Sequence, residues 1–424
     1  MITLVIAAFV IGYLAIVFEH SIKLNKAASA LITGVLCWTA YILFTDDKES
    51  VVENLLHHLG DFSQILFFLL GAMTIVELID AHDGFEIITN RITTKNRRKL
   101  LWIIGMLSFL LSAVLDNLTT AIVMISLVRK LVDNKENRLM LAGAIIISAN
   151  AGGAWSPIGD VTTTMLWIGG QITAANIIVK LILPSIVCMV VPLLVMQFFL
   201  KGNIEAPSRI FNDTGSASER HRKIVFFSGV GILLFIPIFK TVTHLPPFMG
   251  ILLGLGVLWI LVEILHSDKD EADRKNYTVA YALRKIDSAS ILFFLGILLA
   301  ISALESTGQL RLIAQSLDRH IGSGDLIALT IGVLSAIIDN VPLVAASMGM
   351  YSLEQYPTDH YFWEFLAYCT GTGGSILIIG SAAGVAVMGI EKINFMWYLK
   401  RIAWLALLGY LTGAATYILQ ERIF

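Results

Sequence analysis

Charged residues are scarce in this chain. Only 15% of its 424 residues are Asp, Glu, Lys or Arg, whereas soluble domains carry about 25%. Hydrophobic residues make up 56%, and the mean hydropathy is +0.78. The longest polar stretch, residues 201–223, is too short to fold as a separate domain, so a soluble globular protein is excluded. The formal net charge of −2 gives no reason to expect a nucleic-acid partner.

Enzyme motifs are also missing. The three cysteines, Cys37, Cys188 and Cys369, lie irregularly in apolar segments, unlike a disulfide framework or a metal site. The sequence has no H-E-x-x-H zinc motif, no G-x-S-x-G elbow and no P-loop. We therefore expect no cofactor and no enzymatic activity. The first apolar run, residues 2–18, lacks a basic leader and a small-residue cleavage site, which predicts a retained helix.

Long apolar runs fill the rest of the chain. A helix that spans a membrane needs about 20 such residues. The sequence therefore predicts an all-α polytopic membrane protein. Its candidate segments are 2–18, 27–44, 62–79, 100–128, 139–168, 174–200, 224–240, 248–265, 289–304, 325–352, 362–390 and 396–419.

The charges between these segments predict the orientation of the chain. Linker 89–99 carries five Lys or Arg residues and no acid, and linker 201–223 carries another five basic residues. Basic loops mark the cytoplasmic side of a membrane. Linker 45–61 carries five acids and one Lys, so we expect it on the opposite side.

An Asp-Asn pair occurs twice in the middle of a long apolar segment. Residues 112–120 are SAVLDNLTT, and residues 335–343 are SAIIDNVPL. A charged group at this depth costs about 2.5–3.5 kcal/mol on insertion scales, which favours a functional role. Segment 100–128 has basic residues at both ends and would be about 44 Å long as a straight helix, so we predict a re-entrant hairpin that turns at the pair. The alternative is that Asp and Asn only cap this turn.

Each pair is followed by a glycine-rich break. Residues 149–164 are ANAGGAWSPIGDVTTT, and residues 370–384 are TGTGGSILIIGSAAG. Glycine and proline interrupt a helix and free carbonyl oxygens, which coordinate sodium or protons in broken-helix transporters. The alternative is a kinked helix that packs through small residues.

These elements form an internal repeat. The stretch DFSQILFFLLG (61–71) also recurs as DSASILFFLG (287–296). Five predicted crossings separate these two copies, and an odd number places the halves upside down relative to each other. We therefore predict two inverted-topology repeats, each with a re-entrant hairpin and a broken helix. The predicted division is 1–200 for the first repeat, 201–223 for a cytoplasmic linker and 224–424 for the second repeat.

Oxygen-bearing side chains in these segments are the candidate cation ligands. Those of the first half are Asp116, Asn150, Ser156, Asp160, Thr162 and Thr163, beside the helix-loosening Gly152. Those of the second half are Asp339, Thr372 and Ser375. Because the first half holds two carboxylates and the second only one, we expect the principal site in the first half. A buried carboxylate can bind a proton or a metal ion but not both, which is the basis of an exchanger.

At these motifs the sequence resembles the NhaD-type sodium/proton antiporters of the ion transporter superfamily. The stretch AWSPIGDVTTT (154–164) is the most specific part, and the resemblance covers nearly the whole chain. It implies exchange of sodium, or lithium, for protons across a bacterial inner membrane by an elevator-like motion, and a homodimer through the scaffold helices. It adds Ser112, Asn117, Ser335 and Asn340 to the candidate ligands. It implies Na⁺ at Asp116, Asn117, Asn150 and Asp160.

Two alternatives stay open. An anion, arsenite or dicarboxylate permease of the same superfamily would need a neutral or positive site, yet neither hairpin tip nor break contains Lys or Arg. The dicarboxylate carriers carry Ser-Asn-Thr where this chain has Asp116-Asn117-Leu118, and an aspartate there would repel a carboxylate substrate. The remote alternative is an intramembrane aspartyl protease, because residues 322–325 match G-x-G-D. However, Asp325 begins its segment and has no Tyr-Asp partner.

Overall fold

The computed structural model of the protein describes residues 2–89, 92, 94–200, 202–203, 218–268, 270 and 274–423. Its helices, in chain order, are α1 (Ile2–Val17), α2 (Glu19–Ile22), α3 (Lys26–Leu43), α4 (Lys48–Ala81), α5 (Glu86–Thr89), α6 (Arg97–Leu115), α7 (Asn117–Leu131), α8 (Lys135–Ala154), α9 (Val161–Ile168), α10 (Ala174–Met196), α11 (Glu219–Thr243), α12 (Pro247–Leu265), α13 (Val279–Lys285), α14 (Ser288–Ser306), α15 (Gln309–His320), α16 (Gly324–Leu334), α17 (Asn340–Met350), α18 (Tyr361–Gly373), α19 (Ala382–Glu391), α20 (Phe395–Arg401) and α21 (Ala403–Ile423). Within these residues there is no β-strand. The predicted all-α fold is thus confirmed.

Seven of the described helices are long and apolar enough to cross a membrane without a break. They are α3, α4, α6, α10, α11, α12 and α14. An eighth candidate is the pair α20 and α21, which meet at a bend of 50°. The protein is therefore a multi-pass membrane protein, as its composition predicts.

One boundary differs from the sequence prediction. The acidic stretch 45–61 is not a linker, because α4 begins at Lys48 and continues through it. The side chain of Asp47 accepts a hydrogen bond from the Ser50 N–H at 3.1 Å and caps the helix. A helix of 34 residues is about 51 Å long, so its polar first turns extend beyond a hydrocarbon core of about 30 Å. A strong N-cap outweighs the polar composition here.

Segment 396–419 bends by 50° between α20 and α21, at a position that the sequence did not predict. Four other predicted segments are interrupted. Segment 100–128 divides into α6 and α7 at Asp116, and segment 325–352 divides into α16 and α17 just before Asn340. The glycine-rich stretches separate α8 from α9 and α18 from α19. These breaks fall at the Asp-Asn pairs and glycines of the sequence analysis. That the arms of each interrupted segment return to one membrane face stays a prediction.

Two helix crossings show why glycine is needed next to the breaks. A β-carbon at Gly152 would overlap the backbone carbonyl of Phe109, so α8 and α6 touch through their backbones. In the second half, a β-carbon at Gly373 would overlap the carbonyl of Gly332, where α18 crosses α16. These matching contacts support the internal repeat, while its inverted sense remains a prediction.

The interrupted helices pack together in the centre of the protein. α8 contacts α6, α7, α10, α18 and α19, and α7 also packs against α19. Uninterrupted helices surround them in two matching groups, α1 with α3 and α14, and α11 with α12 and α4. The predicted linker 201–223 lies mostly outside the described residues, so the proposed division into 1–200 and 224–424 stays a prediction.

Candidate cation site

The two glycine-rich breaks and the first hairpin tip meet around Asp160. This residue caps α9, where its Oδ1 accepts a hydrogen bond from the Thr162 N–H at 3.1 Å. Its Oδ2 accepts one from Asn117 Nδ2 at 2.9 Å, and the same Nδ2 donates to Asn150 Oδ1 at 3.1 Å. Only 2% of the Asp160 surface is exposed. The structure therefore brings three of the predicted sodium ligands into one buried network.

The second half of the chain completes this network. Asn150 Nδ2 donates to the hydroxyl oxygens of Ser375 and Ser381, each at 2.9 Å. Ser381 also caps α19, because its hydroxyl oxygen accepts a hydrogen bond from the Gly384 N–H at 3.1 Å. The amide nitrogens of Asn117 and Asn150 thus each donate two hydrogen bonds within one network that begins at Asp160. Ser375, predicted for a separate second-half site, lies instead beside the first-half residues.

Asp116 stands at the turn between α6 and α7. Its backbone has φ +83° and ψ 161°, a region that is essentially restricted to glycine and costs about 1–3 kcal/mol. The side chain holds the start of α7, since Oδ1 accepts from the Thr119 N–H at 2.8 Å and Oδ2 from the Thr119 hydroxyl at 3.0 Å. Backbone strain at such a residue is typical of functional sites.

Asp116 and Asp160 line the same cavity of about 60 Å³. Asn117 and Thr164 also line it, together with apolar side chains of α4 and α14. None of the described residues that line this cavity is Lys or Arg. Two carboxylates in an apolar, enclosed space without a basic partner repel anions and attract a small cation, because charges interact strongly at low dielectric.

Three more of the predicted residues of the first half hold the backbone around this cavity. The hydroxyl of Ser112 donates to the carbonyl of Ala149 at 2.6 Å, and that of Ser156 donates to the carbonyl of Ala113 at 2.5 Å. The hydroxyl of Thr163 donates to the carbonyl of Asp160 at 2.9 Å. These bonds tie the α6 end of the hairpin to both sides of the α8 break. By holding the backbone on both sides of the break, these hydroxyls help to position the carboxylates of Asp116 and Asp160.

The predicted second-half residues are not gathered into a comparable cluster. The hydroxyls of Ser335 and Thr372 donate to nearby carbonyl oxygens, those of Gly332 at 2.7 Å and Tyr368 at 2.6 Å. Asn340 is buried at the start of α17 with 6% of its surface exposed. The structure brings only Ser375 of this group to the network around Asp160.

Asp339 has a basic partner that the sequence analysis missed. Lys26 Nζ, at the start of α3, lies 3.3 Å from Asp339 Oδ2. The same ammonium group lies 4.5 Å from the ring centroid of Phe293 on α14. The side chains of Lys26 and Asp339 are 30% and 22% exposed. The position of Lys26 directly before the apolar segment 27–44 marks it as a charge at a helix start. Its partner could not be predicted, because Asp339 is 313 residues away.

Known proteins resemble this chain over nearly its full length. A sequence model of the CitMHS family, described as "Citrate transporter", matches residues 4–363. "Sodium/proton antiporter 1" of Arabidopsis thaliana is 51% identical over 420 residues, which cover 98% of this chain and 72% of that protein. The "Na(+)/H(+) antiporter NhaD" of Alkalimonas amylolytica is 30% identical over 446 residues, which cover 97% of this chain and 89% of that protein.

A solved structure also has a similar fold. The crystal structure of the YdaH transporter of Alcanivorax borkumensis superposes with a TM-score of 0.58 and covers 90% of each chain at 13% sequence identity. The structural likeness concerns the fold alone, whereas the matches in sequence identify the family. The chain is a membrane transporter, not an enzyme, and it belongs to the NhaD-type sodium/proton antiporters of the ion transporter superfamily.

Proposed function

We propose that the protein exchanges sodium for protons through competition of the two ions for Asp116 and Asp160. The observation that carries this proposal is that both carboxylates line one cavity without a basic residue among its described lining. Burial favours the protonated form of a carboxylic acid, and a bound cation favours the charged form. Neighbouring carboxylates titrate as a pair, so arrival of sodium releases protons from the pair as a whole.

Asparagine and serine side chains complete the proposed sodium site. Carboxylate, amide and hydroxyl oxygens are the ligands that hard cations prefer. Asn117 and Asn150 now donate their amide hydrogens along a chain that runs from Asp160 to Ser375 and Ser381. Rotation of the two amides would direct their oxygens toward a cation beside Asp160. The network can therefore take two arrangements: one in which the amides donate hydrogen bonds, and one in which their oxygens face a sodium ion.

The same contacts support an elevator-type motion. Hydrogen bonds from Asn150 to Ser375 and Ser381 join the broken helices of the two halves. We expect α6 to α9 and α16 to α19 to move as one unit against the surrounding uninterrupted helices. Exchange then follows if only the sodium-loaded or the proton-loaded unit crosses the membrane.

Lithium fits the same oxygen ligands as sodium, so we propose it as a second cation. The relatives come from a plant and from bacteria, so the bacterial inner membrane stays a prediction. A homodimer through the scaffold helices also stays a prediction. Citrate, which the family description names, fits poorly because its carboxylates would meet Asp116 and Asp160.

Purified protein in liposomes with an internal pH dye tests the proposed exchange. With an acidic interior, external sodium is expected to raise the internal pH, because each entering sodium ion displaces protons. Lithium is expected to give the same sign of response, and choline none. Absence of any response to sodium or lithium across neutral and alkaline pH would contradict the proposal. Uptake of labelled citrate or arsenite instead would favour the permease alternative.

Lys26 explains why one sodium site suffices in this proposal. Its ammonium group already neutralises Asp339, the carboxylate of the second hairpin. Lys26→Met is expected to slow exchange, because it leaves Asp339 without its partner, and Lys26→Met combined with Asp339→Asn is expected to recover part of the lost rate. A coupling of about 0.5–3 kcal/mol is typical for residues in contact.

Sodium-driven fluorescence changes in the single and double variants measure this coupling. Asp339→Asn alone is expected to be milder than the loss of either first-half carboxylate. If the free-energy losses of the two single variants simply add in the double variant, Lys26 and Asp339 do not act together. The proposed role of Lys26 is then wrong.

A further inference from the structure

A second group of side chains that could bind a metal lies on α4, outside the lining of the cavity of Asp116 and Asp160. His57, His58 and Asp61 each offer one ligand atom, and these atoms all lie within 4.8 Å of one another. His57 Nδ1 lies 3.4 Å from Asp61 Oδ2. His58 Nε2 lies 3.2 Å from the hydroxyl of Ser306 at the end of α14.

The spacing of these atoms fits a transition metal better than an alkali ion. Zinc binds histidine nitrogen at about 2.0–2.1 Å and carboxylate oxygen at about 2.0–2.2 Å in a tetrahedron. Two ligand atoms on one edge of that tetrahedron are about 3.3–3.5 Å apart. The separation of 3.4 Å between His57 and Asp61 matches this edge. Imidazole nitrogen favours zinc, copper or nickel, whereas sodium prefers oxygen ligands.

A fourth candidate ligand is a carboxylate of α14 that lines the same cavity as these three residues. His57, His58, Asp61 and Glu305 all line one cavity of about 360 Å³ between α4 and α14. None of the described residues lining this cavity is Lys or Arg, so its two carboxylates have no Lys or Arg competitor there. Glu305 or a water molecule would therefore complete the tetrahedron. The simpler interpretation is a solvated His57–Asp61 ion pair on one helix face, which would bind no metal.

We propose that His57, His58 and Asp61, with Glu305, form a binding site for zinc or a similar divalent transition metal. The bound ion links α4 to α14 across the cavity. Met165 of α9 and Met348 of α17, which belong to interrupted helices, line other walls of this cavity. Occupancy therefore fills the space into which these interrupted helices would move, and we expect micromolar zinc to inhibit exchange. This inhibitory effect rests on the proposed function, whereas metal binding does not.

Calorimetric titration of the purified, detergent-solubilised chain with zinc chloride tests the site directly. One zinc ion per chain is expected to bind, and His57→Ala and His58→Ala are each expected to weaken binding by about 10–100-fold or more. His320→Ala is the matched control, because this exposed histidine bonds only within its own helix turn to Ser316. Thermal melting checks that each variant is folded. Zinc binding that is equal in the double variant His57→Ala/His58→Ala and in the control would overturn the proposal.

Cobalt and transport measurements separate the two parts of the proposal. Cobalt bound at the site is expected to give the intense visible absorption of tetrahedral coordination, and Glu305→Gln is expected to weaken that spectrum. In liposomes, zinc is expected to slow sodium-driven proton flux of the unchanged protein but not of His58→Ala. If zinc binds at these residues and the flux is unaffected, the inhibitory part is wrong and the site stands. If no flux exists at all, only the proposed function fails.

Discussion

Replacing Asp160 with Asn is expected to reduce sodium-driven proton exchange by about 100-fold or more. The substitution removes the negative charge that would hold the cation, and a 100-fold loss corresponds to about 2.8 kcal/mol at about 1.4 kcal/mol for each factor of ten. The new amide oxygen can keep the cap on the Thr162 N–H, so α9 is expected to remain. Its NH₂ group, however, faces the NH₂ group of Asn117, which must rotate together with Asn150.

The exchange rate in liposomes and the melting temperature of the purified variant measure this effect together. Asp47→Asn is the matched control, because Asp47 also caps a helix, through Ser50, but lies exposed at the start of α4. It should exchange at the unchanged rate. If folded Asp160→Asn exchanges sodium as fast as this control, the proposed cation site is wrong.

Replacing Asp116 with Asn is expected to reduce the exchange rate about as much as Asp160→Asn does, while the hairpin stays folded. Asn can accept the hydrogen bond from the Thr119 N–H, and the Thr119 hydroxyl can reverse to accept from the new amide. The substitution therefore removes the charge without removing the cap. If Asp116 serves only as a cap, Asp116→Asn will exchange normally, and that result would establish the capping alternative.

Asp116→Gly separates the charge from the backbone strain. Glycine adopts φ +83° and ψ 161° without penalty, so this variant relieves strain but loses both the charge and the cap. We expect it to be inactive, like Asp116→Asn. Sodium-driven flux and thermal melting of both variants are the measurements. An active Asp116→Gly would show that the strained turn, and not the carboxylate, limits exchange.

Local features made much of this protein predictable. Apolar runs, glycines and Asp-Asn pairs act over one or two helix turns, so they predicted the all-α membrane fold and four of the five interrupted segments. The same features misplaced the start of α4, because the cap at Asp47 continues the helix through an acidic stretch. Local sequence signals also predicted Asn150 and Asp160 as neighbours of one break.

Contacts between distant parts of the chain were not predictable in this way. Asn150 meets Ser381 at a separation of 231 residues, and Lys26 meets Asp339 at a separation of 313. Nothing within a few residues of Lys26 or Ser381 specifies such a partner. Each partner depends on how far a helix is rotated and where it crosses its neighbour, as at the crossing of α8 and α6 that Gly152 permits.

The sequence by itself determined the apolar segments, the breaks at the Asp-Asn pairs and glycines, and that two carboxylates lie in the first half. These properties follow from hydration, helix capping and the backbone freedom of glycine, which act on neighbouring residues. Only the tertiary structure decided that Ser375 and Ser381 of the second half complete the network around Asp160. It also decided that Lys26 forms an ion pair with Asp339, the remaining carboxylate. A buried polar group needs a partner, but packing of whole helices selects which one it finds.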